Sequence, residues 1–85
     1  MSAIVFSSPT CEPCKALKPV FDDLKEEFNT INWSSVNIRE DPGHLTQLYG
    51  IKRVPSMVVI GKDGTTKTYT GTDVASYYRL VRSIT

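Results

Sequence analysis

The chain is poor in metal ligands, in long apolar runs and in charge of one sign. Its 85 residues contain one histidine, His44, and two cysteines. A structural zinc site usually takes four ligands, and one chain does not gather them. Ten basic residues balance nine acidic ones to a net charge of +1, which argues against a nucleic-acid arm or a membrane-surface patch. No apolar run approaches the ~20 residues of a membrane-spanning helix. No basic stretch followed by an apolar segment opens the sequence, so nothing directs secretion. Internal repeats and low-complexity linkers are also missing. This length makes one domain, 1–85, that buries roughly 60% of its unfolded surface, and a monomer is expected.

What is present centres on Ser7-Ser8-Pro9-Thr10-Cys11-Glu12-Pro13-Cys14-Lys15. This stretch holds both cysteines between an apolar run, Ala3 to Phe6, and a helical pattern from Lys15 to Phe28. A helix start leaves backbone N–H groups unpaired and carries about half a positive charge. A thiolate placed there is stabilised, which makes Cys11 acidic and nucleophilic. Cys14, one turn on, reaches back to close a disulfide, and Pro13 suits the first turn. The pair reads as a dithiol that cycles. A structural disulfide is disfavoured because so short a ring constrains little of the unfolded chain. A metal or iron–sulphur cluster shared between two chains stays open as an alternative. Inert buried thiols fit poorly beside a proline and a charged residue. A reactive dithiol without an export signal points to a reducing cytoplasm.

The order of elements reads β-α-β-α-β-β-α. Ala3 to Phe6 suits a central strand covered on both faces. Leu17, Val20, Phe21, Leu24 and Phe28 form one helical stripe. Pro19 inside it predicts a kink, with two separate helices as the weaker alternative. Trp33 to Ile38 reads as a second strand, parallel to the first because a helix intervenes. Pro42 is placed to start a short helix that contains Leu45 and Leu48 and ends at Gly50. Met57 to Ile60 makes the third strand. Gly61 to Gly64 makes a hairpin, and Thr65 to Thr70 the antiparallel fourth strand. After a break at Gly71, Thr72 or Asp73 caps a last helix with Val74, Tyr77, Tyr78, Val81 and Ile84 at helical spacing. The tyrosines and Trp33 read as packing rather than as a binding box.

With these elements in order, the chain resembles a thioredoxin-family protein of a short kind that opens at the strand before the active site. Cys11-Glu12-Pro13-Cys14-Lys15 matches the family's Cys-x-Pro-Cys-Lys. Pro19 falls on its helix-kinking proline, Val36-Asn37-Ile38, Asp41-Pro42-Gly43 and Tyr49-Gly50-Ile51 on its central run, and Val54-Pro55 on its cis-proline. Gly61 to Gly71 follows its hairpin and closing glycine. The resemblance implies a thioredoxin-like α/β fold, a four-stranded mixed sheet flanked by three helices. It implies a protein-disulfide reductase with Cys11 attacking and Cys14 resolving, and Thr10, Glu12, Pro13, Arg53, Val54, Pro55 and Gly71 meeting the substrate. It implies no cofactor beyond the Cys11–Cys14 disulfide. The implied partners are disulfide-containing proteins, ribonucleotide reductase among them, with a thioredoxin reductase or glutathione as electron donor.

Three positions depart from that pattern. Thr10 replaces the family's usual tryptophan and is closer to the glutaredoxin branch. Val5 and Ser35 stand where thioredoxins usually carry a buried aspartate and its lysine. Glu12 places a negative charge beside Cys11, which disfavours a thiolate; Lys15, Lys18, Lys52 and Arg53 oppose it, Arg53 from the loop expected to face Cys11. Two other functional classes follow. A glutathione-dependent glutaredoxin would use Gly71-Thr72-Asp73 at the last helix start. A docking subunit would use the same surface without chemistry.

Overall fold

The computed structural model describes residues 1–85. Strand β1 (Ser2–Ser7) runs through the middle of the molecule, and its four central residues Ala3, Ile4, Val5 and Phe6 are all buried. It is covered on both faces, which is why it reads as an unbroken apolar run rather than an alternation. Helix α1 (Glu12–Glu27) follows, then β2 (Asn32–Asn37), α2 (Leu45–Leu48), β3 (Ser56–Ile60), β4 (Thr66–Thr70) and α3 (Val74–Arg82). The sheet order is β2-β1-β3-β4. β1 pairs parallel with β2 and antiparallel with β3, and β3 pairs antiparallel with β4. The result is the expected thioredoxin-like mixed sheet with three helices.

Two apolar layers sandwich the sheet. On one face Ala3, Val5, Met57 and Val59 meet Leu17, Phe21 and Leu24 of α1 and Tyr77 and Val81 of α3. On the other, Ile4, Phe6, Val36 and Val58 are covered by Leu45, Tyr49, Ile51 and Val54 around α2. Side-chain alternation along β1 feeds both layers. Trp33 packs at the margin of the first layer, and its indole N–H donates to Phe28 O at the end of α1 (3.0 Å).

Several boundaries differ from those read off the sequence. α1 begins at Glu12 instead of Lys15, because Cys11 itself takes the N-cap position. Pro19 lies inside it without interrupting it, so the two-helix alternative is not realised. β2 spans Asn32–Asn37 rather than Trp33 to Ile38, as Asn32 pairs with Ser2 in the ladder. α2 does not start at Pro42. The Asp41 carboxylate instead collects the Leu45 N–H (3.0 Å), the Thr46 N–H (2.8 Å) and the Thr46 hydroxyl (2.6 Å). Those bonds, the Thr46 hydroxyl first, hold the Asp41 carboxyl below its usual range. His44 between them is left-handed (φ 53°) and breaks any helix running on from Pro42. Asp73 holds the N-cap position of α3, but its carboxylate accepts from Ser76 Oγ (2.5 Å) rather than from a backbone amide. Ile84 lies beyond that helix, and Val74 at its start is exposed.

Candidate active site

Leaving β1, the chain turns through Ser8 to Thr10, and the Cys11 N–H donates to Ser8 O (3.1 Å). That turn puts Cys11 at the N-cap of α1 in extended backbone geometry. Its Sγ accepts the Cys14 N–H at 3.2 Å, the bond that a serine or aspartate oxygen ordinarily makes at a helix start. A thiolate at Cys11 gains that bond in charge-assisted form together with the positive end of a 16-residue helix. Pro13 occupies the first turn, where its missing N–H removes no helical bond. The two cysteines form a disulfide, with Cα atoms 5.2 Å apart. Their exposure differs: Cys11 is partly accessible, and Cys14 is only 6% exposed.

The opposite wall comes from the loop before β3. The Val54–Pro55 peptide is cis, and Val54 O lies 3.8 Å from Cys11 Sγ. Pro55 is buried, and its carbonyl accepts the Gly71 N–H (3.2 Å) and approaches the Tyr77 hydroxyl (3.1 Å). The same hydroxyl donates to Gly71 O at 2.6 Å. Ser56, fully buried, donates from Oγ to Arg53 O (2.5 Å) and bonds Thr70 Oγ1 (2.7 Å). Gly71 has φ 149°, a backbone conformation that larger residues rarely adopt, and a Cβ there would fall 2.5 Å from the Tyr69 hydroxyl, so the Tyr69 ring would have to shift. Cys11, Val54, Pro55 and Gly71 are thus one connected site.

Around it, Glu12 and Pro13 are exposed on the first turn, and Glu12 pairs with Lys15 at 3.3 Å. The lysine therefore answers the carboxylate that stands between the cysteines. Arg53 does not supply that counter-charge by contact. Its guanidinium is exposed and makes no ion pair or hydrogen bond, while its carbonyl holds Ser56. Thr10, also exposed, accepts a hydrogen bond from Arg39 Nη2 (3.1 Å) and bonds Ser8 Oγ (3.2 Å). Arg39, Ser56 and the Tyr77 hydroxyl were not singled out by the sequence. The Val-Pro-Ser run offered a cue for Ser56, and Arg39 carried none. Val5 sits opposite Ser35 in the β1–β2 register, so neither strand offers Cys14 a carboxylate. No cluster of three or more His, Cys, Asp or Glu residues gathers in the chain.

Cys11 is the more accessible of the two sulfurs. Reduced protein treated with limiting iodoacetamide is expected to label Cys11 first in peptide maps; dominant labelling of Cys14 would reverse the assignment.

The family model described as Thioredoxin matches residues 2–84. A thioredoxin of Chlamydia caviae is 36% identical over 61 residues, covering 72% of this chain and 58% of that protein. NADPH-dependent thioredoxin reductase 3 of Arabidopsis thaliana is 27% identical over 77 residues, 89% of this chain and 14% of that protein. The chain therefore spans between 14% and 58% of the length of these two relatives. Among solved structures, Fasciola hepatica thioredoxin superposes with a TM-score of 0.87 at 19% identity, over 99% of this chain and 80% of that one. The family-model match over residues 2–84, nearly the whole chain, means that the chain belongs to the thioredoxin family.

Proposed function

We propose that the chain is a thiol–disulfide oxidoreductase that reduces disulfides in other proteins. The observation that carries this reading is the sulfur of Cys11 at the N-cap of α1, bonded to the Cys14 N–H and open to solvent above a buried Cys14. Cys11 as thiolate attacks one sulfur of a target disulfide. A Cys11–target bond forms, the target bond breaks, and the departing target thiolate takes a proton from solvent. Cys14 then loses its proton and attacks Cys11 Sγ. The Cys11–Cys14 bond forms and the second target thiolate leaves, so two electrons have passed to the target. Val54 O stands 3.8 Å from the reacting sulfur, where an extended substrate segment lies against the loop.

The cycle needs no group besides the two sulfurs, and an external two-electron donor resets it. A thioredoxin reductase is the donor this reading favours, supported by the match to a protein named as such. Ribonucleotide reductase is the family-based candidate for an electron acceptor. A reducing cytoplasm suits the cycle.

The test is insulin reduction with NADPH and thioredoxin reductase, compared with glutathione, glutathione reductase and NADPH. Turnover in the first arm is the expected result. Turnover in the second alone would replace this reading with a glutaredoxin one, and none in either would leave the docking-subunit reading.

A further inference from the structure

A cleft of about 280 Å³ opens behind the buried cysteine, lined by Val5, Ser7, Ser8, Cys14, Lys15, Lys18, Phe21, Asp22, Lys25 and Ser35. Its charge is distributed unevenly. The sheet side gives Val5, Ser7 and Ser35, and none of β1, β2 or β3 contains a titratable residue. All the charge comes from α1. Cys14, Lys18 and Asp22 follow at four-residue steps, and Lys25 continues that face. At 1.5 Å rise per residue, Lys18 starts about 6 Å along the axis from Cys14 and Asp22 about 12 Å. Helical side chains lean toward the N-terminus, which tilts the long lysine arms toward Cys14 and leaves the short aspartate arm behind.

Other charges near Cys14 are few. Lys15 is held against Glu12. Lys25 crosses the cleft, its Nζ 3.4 Å from Ser35 Oγ. Arg53 in the opposing loop and Lys18 form no ion pair, and Tyr77, the group α3 buries nearby against Phe21, is an uncharged phenol. Among the charged residues of α1 that line the cleft and form no ion pair, Lys18 therefore stands closest to Cys14 along the helix.

We propose that Lys18, seconded by Lys25, is a positioning charge for the resolving step, stabilising the Cys14 thiolate where no base stands beside it. The inference rests on the disulfide-exchange reading above. In the Cys11–target mixed disulfide, the Cys14 proton passes to solvent in the cleft, which Ser7, Ser8 and Ser35 line and which is large enough for several waters. The Cys14 thiolate then bonds Cys11 Sγ, the Cys11–target bond breaks, and the target thiolate leaves with the electron pair and is protonated by solvent. The lysine takes no proton. Its field acts on the charge that develops at sulfur.

The test uses Cys11→Ser protein, in which Cys14 is the only cysteine, and follows thiolate absorbance against pH. No disulfide substrate is involved, so the result is independent of whether the chain reduces proteins. Adding Lys18→Gln is expected to move the Cys14 midpoint to higher pH and lower the thiolate fraction at pH 7 about two- to threefold, the scale of a solvent-exposed charge. Lys18→Arg should restore it, Lys25→Gln should give a smaller shift in the same direction, and 1 M KCl should shrink the differences. Asp22→Asn should move the midpoint the other way. An unchanged midpoint in Lys18→Gln would overturn the proposal.

Discussion

Cys14→Ser protein is expected to lose turnover on the order of a thousandfold or more while still attacking its target. The reason lies in the division of labour at the helix start. Cys11 keeps its N-cap position and its bond from the residue-14 N–H, since that donor is backbone. The first exchange therefore proceeds, and a serine hydroxyl, far less acidic than a thiol, does not complete the second. The variant should accumulate as a mixed disulfide, visible as a mass increase on a non-reducing gel and reversed by dithiothreitol. Cys11→Ser should lose turnover equally but form no such adduct, because Cys14 is only 6% exposed. An adduct on Cys11→Ser and none on Cys14→Ser would exchange the two roles. Full turnover by both variants would remove the dithiol cycle altogether.

The sequence was legible wherever local spacing and the fold agreed. Leu17, Phe21 and Leu24 announce the buried face of α1 and are buried. The Cys11–Cys14 spacing implied a turn feeding a helix headed by Cys11, and Cys11 is its N-cap. The start of α2 was misread because a side chain overrode propensity. Asp41 gathers the Leu45 and Thr46 amides from outside the helix, so Pro42 never enters it. Arg39 was invisible for a different reason. It meets Thr10 across 29 positions, and only the parallel register, with Ser7 opposite Asn37, brings the two following loops to the same end of the sheet. The Val5 and Ser35 departures were readable singly. That they face each other across one ladder, beside the cleft behind Cys14, is a property of the pairing. Tyr77 was half legible: its spacing showed that it points inward, and nothing local showed what its hydroxyl reaches.

That hydroxyl makes Tyr77 the residue through which the last helix steadies the active-site loop, and its removal should be costly. The ring is fully buried, edge-on to Phe21 (centroids 5.0 Å apart) and to Tyr69 (4.8 Å). Tyr77→Ala should destabilise the protein by about 3–5 kcal/mol, the usual cost of emptying a buried aromatic site. For 85 residues that is a large part of a total on the order of 4–13 kcal/mol, so much of the variant should be unfolded under mild stress. Tyr77→Phe keeps the ring and removes one donor. Pro55 O retains the Gly71 N–H, whereas Gly71 O loses the hydroxyl, so about 1–2 kcal/mol is expected. The two variants thus separate packing from hydrogen bonding. Burial, first among the causes, raises the Tyr77 phenol well above its ordinary value of 10.0. A raised folded-state value favours the protonated form in the fold, so the contribution is complete below pH 10.0 and declines as pH climbs past it toward the folded value. Wild-type stability should therefore fall above that pH by up to about 1.4 kcal/mol per unit from this group, and Tyr77→Phe should show a shallower decline. Urea unfolding of both proteins at pH 7 and at about pH 11, above the ordinary tyrosine value, measures each part. Equal stability at pH 7 would deny the hydroxyl its part in holding Gly71 and Pro55, and parallel losses at high pH would deny that Tyr77 stays protonated in the fold.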